Sequence, residues 1–297
     1  MSYKIVDKQQ LNEVVYLMDI EAPRVARSAK PGQFIIVIID EKGERMPLTI
    51  ADYDKEKGTV TIVFQTVGDS SKKLGNLNIG DSIRDFVGPL GQPSEFIHED
   101  IEELKKKKMI FIAGGVGAAP VYPQVKWLHE HGVDVDVIIG ARSKDILIYE
   151  EKMKSVAKNL YICTDDGTYG FHGNVTNMLD ELVTKQGKSY DEAVVIGPMI
   201  MMKFACMATK KLNIPTIVSL NTIMVDGTGM CGACRVRIGD EIKFACVDGP
   251  EFDGWKVNFD EAMKRQQMFK SEEGRKALRN SDGATHSSPN CKIGGVH

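Results

Sequence analysis

Residues 221–254 read NTIMVDGTGMCGACRVRIGDEIKFACVDGPEFDG, and three of the six cysteines fall inside this stretch. Asp226, Cys231, Cys234 and Cys246 give the pattern D-x4-C-x2-C-x11-C. With a cysteine at 226, the first three positions would have the C-x4-C-x2-C spacing of a plant-type [2Fe–2S] loop, whose fourth ligand comes later. Glycines at 227, 229 and 232 suit a loop in which backbone amides approach inorganic sulfide and some residues take positive φ. The spacing therefore predicts a cluster held by three thiolates and one carboxylate.

Three other chemistries share these residue types. A zinc ribbon uses tetrahedral sulfur ligation, a C-x2-C pair can be a redox dithiol, and small apolar cysteines can simply pack. The rest of the chain has to decide.

Immediately upstream, strands alternate with helices. MIFIAGGVGAAP is an apolar strand entering a glycine turn, followed by the helical VYPQVKWLHEHG, the strand VDVDVIIGAR, the helical ILIYEEKMKSVAK and the strand NLYICTDDG. VTNMLDELVTK, AVVIGP, MIMMKFACMATKKLN and IPTIVSLN continue the alternation. That order predicts a parallel sheet covered on both faces, a nucleotide-binding architecture. Gly115, Val116 and Gly117 lie in its first strand-to-helix turn, where glycines admit a pyrophosphate to backbone N–H groups at a helix start. The turn ends in Pro120, a departure from G-x-G-x-x-G.

Further out, LNEVVYLMDIEAP, PGQFIIVII, RMPLTIADY and GTVTIVFQTVG are short β-rich runs separated by turn residues, as in a small antiparallel barrel. The fold class expected is thus multidomain β and α/β. Residues 1–97 form an antiparallel β-barrel, 98–220 a parallel-sheet nucleotide-binding domain, 221–258 a cluster domain appended to the sheet, and 259–297 a C-terminal helix and tail.

Composition narrows the function. A net charge of −3 over 297 residues gives no electrostatic footprint for nucleic acid or an anionic membrane, and Lys105–Lys108 reads as a solvated helix end. No apolar run approaches the ~20 residues of a membrane span. The first residues carry no signal-peptide core, and six scattered cysteines fit a reducing cytoplasm. Cys163 and Cys206 read as packing residues, Cys291 as a free thiol, and no histidine has ligand spacing.

Together the RMPLTI strand, Gly68-Asp69-Ser70-Ser71, the GPLG at 88–91, the GGVGAAP turn and Gly197-Pro198 resemble the ferredoxin-NADP reductase superfamily. The cysteine loop is similar to that of its cluster-carrying branch, which includes dihydroorotate dehydrogenase electron-transfer subunits. Asp226 and the long C-terminus most resemble the small subunits of NADH-dependent reduced ferredoxin:NADP oxidoreductases, also described as sulfide dehydrogenase subunits. The resemblance covers roughly residues 1–280.

The resemblance implies FAD, NAD(H) and a [2Fe–2S] cluster. Arg45, Pro47, Leu48 and Thr49 would line the flavin, with Phe64, Gln65 and Thr66 flanking it and Gly68, Ser70 and Ser71 holding its pyrophosphate. Gly115, Val116 and Gly117, with Arg142, Asp166 and Gly197, would take the nicotinamide dinucleotide. Asp226, Cys231, Cys234 and Cys246 would bind the cluster. Carboxylate for thiolate conserves the formal ligand charge, unlike the neutral histidines of Rieske centres; hydrogen bonding by Asp226 beside the cluster is the alternative to ligation.

The expected function is hydride exchange with NAD(H) at FAD and single-electron exchange through the cluster, with no protein acid or base required. Partners would be a larger flavin and iron–sulfur subunit, in an obligate heterodimer, and ferredoxin through that subunit. Alternatives are an electron-transfer subunit of dihydroorotate dehydrogenase, a stand-alone NAD(P)H reductase and a zinc-ribbon regulatory module.

Overall fold

The computed structural model describes residues 3–272; the tail with Cys291 lies outside the described residues. Seven antiparallel strands make the first unit: β1 (Tyr3–Gln10), β2 (Val15–Glu21), β3 (Phe34–Ile38), β4 (Met46–Asp54), β5 (Thr59–Gln65), β6 (Ser82–Ile83) and β7 (Asp85–Leu90). Their order is β6-β1-β2-β5-β4-β3-β7, a nearly closed barrel. β-Branched and aromatic side chains alternate into it, so Ile5, Met18, Ile20, Ile35, Ile50, Ile62 and Phe86 are buried together. Two short helices, α1 (Pro23–Ser28) and α2 (Asp69–Gly75), pack on it through Val25, Ala26 and Leu74. β1 and α1 are absent from the strand and helix pattern of the sequence: KIVDKQQ is mostly polar, and PRVARS is too short to show a helical period.

The second unit is parallel. β8 (Met109–Gly114) and β9 (Val135–Ala141) are buried along their whole length, as strands covered on both faces must be. β10 (Asn159–Thr164), β11 (Phe171–His172), β12 (Glu192–Ile196) and β13 (Thr216–Ser219) complete the order β11-β10-β9-β8-β12-β13. Helices α3 (Ile101–Leu104), α4 (Ala118–Glu130) and α5 (Glu150–Lys154) pack on one face, α6 (Val175–Asp180) and α7 (Met199–Lys211) on the other. The helix expected over ILIYEEKMKSVAK starts only at Glu150, because Tyr149 takes a left-handed φ of 66° and breaks the preceding segment from it.

The cysteine segment folds as a hairpin, β14 (Arg235–Ile238) with β15 (Glu241–Phe244), and then β16 (Glu251–Asp253). β16 pairs antiparallel with β13 and so becomes the edge of the large sheet. The segment expected as an appendage is joined to the sheet by this last strand. Cys234, Val236, Ala245 and Cys246 share one apolar core with Ile112 and Val195 of the sheet, Met202 of α7, and Phe34 and Ile36 of the barrel. Gly227 lies on the barrel: a Cβ there would meet Ile36 and Leu90 at 3.1 Å, and its φ of 76° already disfavours a side chain. Helix α8 (Phe259–Gln266) follows, capped by Asn258, whose Oδ1 accepts the Glu261 N–H at 3.0 Å.

Candidate functional site: a two-cofactor cleft beside a cysteine loop

In the sheet, β8 and β12 are neighbours although the chain passes through β9 and β10 between them. Strand order reverses there, and ligands of open α/β sheets bind outside the carboxyl ends of such strands. Gly115–Gly117 follows β8 and Gly197-Pro198 follows β12, both at that crevice. Gly115 takes φ 56°, which turns the chain from β8 into α4. Gly117 is required by contact: a Cβ would lie 2.2 Å from the carbonyl oxygen of Ile196.

The crevice opens into a cleft of about 1630 Å³ that runs to the barrel wall. Single drug-sized sites occupy ~300–1,000 Å³, so this one has room for two extended cofactors. Pro47, Leu48, Thr49, Phe64, Gln65 and Ser71 line the barrel side, and Gly115, Val116, Gly117, Arg142 and Gly197 the sheet side. The Phe64 ring itself is turned into the barrel, stacked on Tyr16 at a centroid distance of 6.2 Å.

Arg45, Thr66, Gly68, Ser70 and Asp166 are not among the lining residues. Arg45 reaches the cysteine loop, donating from Nε to the Val225 carbonyl at 2.7 Å and from Nη2 to the Asp226 carbonyl at 2.8 Å. Thr66 donates to the Val14 carbonyl, Gly68 N–H is capped by Ser71 Oγ at 3.0 Å, and Ser70 donates to Glu44. Asp166 closes its own turn, accepting from the Thr168 hydroxyl and N–H, and those bonds hold its carboxyl below the usual range.

One lining residue had no signal in the sequence. Thr222 Oγ1 is buried, lies on the cleft and has no hydrogen-bond partner within the protein. A buried hydroxyl without a partner is costly, so a ligand atom is the expected acceptor or donor. This orphan, the glycine-lined crevice and the cleft volume fit a flavin and a dinucleotide.

In the loop two of the four candidate ligands meet through their sulfurs, and the other two are linked through a backbone amide. Cys234 and Cys246 place their sulfurs 3.2 Å apart in the core. Burial, then the neighbouring thiol, pushes the Cys246 thiol up to about 12; a coordinated metal reverses that by stabilising thiolate. At the exposed end, Asp226 Oδ2 accepts the Cys231 N–H at 3.1 Å and Oδ1 the Thr228 N–H at 2.9 Å. These bonds, the Thr228 amide foremost, keep the carboxylate ionised to lower pH than usual. The Ala233 N–H points to Cys231 Sγ at 3.5 Å, and the Gly229 N–H to the Cys246 sulfur.

A two-iron cluster takes its ligands two to each iron, and the adjacent Cys234 and Cys246 sulfurs fit one such pair. Cys163 and Cys206 are buried in the core, where burial pushes both thiols up to about 12. Among the described residues no helix is long and apolar enough to cross a membrane.

Two stretches of the chain match known domain families. Residues 221–258 match the iron–sulfur cluster binding domain of dihydroorotate dehydrogenase B, and residues 111–207 the oxidoreductase NAD-binding domain. The chain is 70% identical to an uncharacterised protein of Clostridium beijerinckii encoded in the adh 3′ region, over 97% of this chain and 98% of that one. It is 44% identical to a dihydroorotate dehydrogenase B electron-transfer subunit homologue of Thermotoga maritima, over 91% and 92% of the two chains. A chain from the solved NADH-dependent reduced ferredoxin-NADP oxidoreductase superposes with a TM-score of 0.86 at 40% identity, covering 95% of this chain and 98% of that one. A ferredoxin NADP+ reductase of Neisseria gonorrhoeae with bound FAD and NADP shares the fold at a TM-score of 0.57 and 15% identity, over 71% and 90% of the chains. The expected cofactor set of FAD, NAD(H) and an iron–sulfur cluster stands on these matches and on the cleft and loop that fit it. The chain belongs to the family of cluster-carrying electron-transfer subunits with the ferredoxin-NADP reductase fold, which includes those of dihydroorotate dehydrogenase B and of NADH-dependent reduced ferredoxin-NADP oxidoreductase.

Proposed function

We propose that this chain is the electron-transfer subunit of a flavin-based, electron-bifurcating NAD/NADP transhydrogenase coupled to ferredoxin. It passes electrons between a larger flavin and iron–sulfur partner, its own [2Fe–2S] cluster, FAD and NAD(H). The observation that carries this reading is the single core uniting Cys234 and Cys246 with the barrel and the dinucleotide sheet, which puts cluster loop and cleft on one rigid body. The full-length 40% identity to the ferredoxin-NADP oxidoreductase chain supports the choice of reaction.

FAD supplies the exchange between two-electron hydride and single electrons, and the cluster the single-electron port. The chain's own residues bind and orient. Pro47, Leu48 and Thr49 form the wall against which the flavin would rest, with Gln65 and Ser71 beside it. Gly115, Val116 and Gly117 present backbone N–H groups to the dinucleotide, and Arg142 and Gly197 border the same space. Asp226 and Cys231 would hold the outer half of the cluster, Cys234 and Cys246 the inner half. Arg45, Thr66, Gly68, Ser70 and Asp166 act from outside the lining, by fixing its loops and strands.

The partner surface follows from the exposed end. Met230 is 87% exposed next to exposed Cys231, and Val225 is exposed in the same loop. Apolar side chains beside the cysteine loop suit a larger protein subunit docking there. A cytoplasmic setting fits the reduced thiols the loop needs.

The test is anaerobic assay of the chain co-expressed with its genomic partner. NADPH-driven reduction of ferredoxin that requires NAD+ supports the reading. NAD+-dependent oxidation of dihydroorotate, the reaction in the names of several relatives, would replace it with the dehydrogenase reading, and full activity of the lone chain would remove the heterodimer.

A further inference from the structure

Arg45 immediately precedes β4, and within the next four residues that strand lines the cleft with Pro47, Leu48 and Thr49. Its guanidinium spends two N–H groups on consecutive carbonyls, Val225 and Asp226, 180 and 181 positions away in sequence. Arginine is suited to this: its planar fork holds two acceptors in fixed geometry and keeps its charge at every working pH. In a trans peptide the C=O and N–H point opposite ways. Clamping these two carbonyls therefore turns the N–H groups of Asp226 and Gly227 away from the guanidinium. Gly227 is pressed on Ile36 and Leu90 at the same place, so the start of the cysteine loop is fixed to the barrel at both backbone and charge level.

We propose that Arg45 is a positioning residue for electron transfer: it locks the Asp226 end of the cluster loop to the cleft-lining strand and places a permanent positive charge beside the cluster. The proposal rests on the reading that Asp226, Cys231, Cys234 and Cys246 hold a cluster. A nearby cation favours whichever redox state is more negative, here the reduced one. Removal of the charge lowers the midpoint potential, and removal of the fork loosens the loop relative to the strand.

The experiment compares wild type, Arg45→Lys and Arg45→Gln in the complex with the partner subunit. Iron, sulfide and flavin content are measured first, then the cluster midpoint potential by EPR-monitored titration, and the rate of cluster reduction by NADH. Arg45→Gln is expected to keep its flavin, show a lower midpoint potential and reduce its cluster several-fold more slowly. Arg45→Lys should restore the potential, which needs only charge, but not the rate, which needs the fork. Amide hydrogen exchange of residues 225–231 gives a readout independent of cluster loading, and should rise in both variants. An unchanged potential, rate and exchange in Arg45→Gln overturns the proposal. So does a loss of flavin affinity with cluster properties intact, which would make Arg45 a flavin-phosphate ligand. Wild-type protein lacking iron and sulfide would instead sink the cluster reading on which the proposal rests.

Discussion

Glu251 Oε1 accepts a hydrogen bond from Gln124 Nε2 at 2.8 Å, joining the edge strand that follows the cysteine loop to the helix that follows the dinucleotide turn. Ser94 Oγ, from the linker after the barrel, donates to the same oxygen at 3.0 Å. One carboxyl thus ties three parts of the chain together. Its head is enclosed, and burial, with smaller repulsion from Glu95 and Glu192, pushes Glu251 up to about 7 from an ordinary 4.5.

The consequence is a pH dependence of stability. Between pH 4.5 and 7 the folded protein holds a proton on Glu251 that the unfolded chain has lost. Stability contributed by this group is therefore full below that window, falls as pH rises through it and is flat above. The loss is on the order of 3 kcal/mol. Glu251→Gln should match wild type in thermal unfolding at pH 5 and exceed it at pH 8; equal melting temperatures at both values would refute the assignment.

Gly117→Ala tests the packing at the switch point. The added Cβ would stand 2.2 Å from the Ile196 carbonyl, and backbone rather than a flexible side chain has to yield. Overpacking of this kind costs about 1–3 kcal/mol. Urea denaturation should show that loss, and NAD(H) titration should show weaker binding because the start of α4 is displaced from the crevice.

Thr222→Val separates fold from ligand. Replacing the orphan hydroxyl by a methyl relieves a buried unsatisfied group, so the apoprotein should be as stable as wild type or more so, by up to about 1 kcal/mol. Cofactor binding should move the other way. Weaker flavin or NAD(H) binding, read by fluorescence titration, is the expected outcome; unaltered affinity for both would remove Thr222 from the site.

Asp226 variants address the outer half of the cluster. Asp226→Cys should retain iron and sulfide with a changed EPR spectrum, because oxygen is exchanged for a softer donor. Asp226→Ala loses both the donor and the bonds to the Thr228 and Cys231 amides, and should hold substantially less iron. Full iron content and an unchanged spectrum in the alanine variant would show that the carboxylate is not a ligand.

The features that can be read from the sequence are those that depend on neighbours along the chain. The alternation from Met109 to Ser219, the Gly114–Gly117 turn and the D-x4-C-x2-C spacing carry their period or geometry locally. What could not be read depends on partners far away. β16 is three residues long and becomes a strand only because β13 offers an open edge. Arg45 is placed beside the flavin by resemblance alone, and only the folded chain brings the Val225 and Asp226 carbonyls to it. Thr222 is one hydroxyl among many until burial removes its water. Tyr149 interrupts an apparently continuous helical stretch through a single left-handed residue that composition does not mark.

The pairing of β16 with β13 has a consequence for how such a subunit is built or rebuilt. A module that hung from the sheet by one tether would be exchangeable, and the potential of the wire could be reset by swapping cassettes. Here the chain leaves the sheet at Ser219, makes the cysteine hairpin and returns to hydrogen-bond beside its own point of departure. The segment is stitched in at both ends. A graft that took only residues 221–246 would leave the sheet with a bare edge strand, a surface prone to pairing with another chain, so a transplant has to carry its closing strand with it.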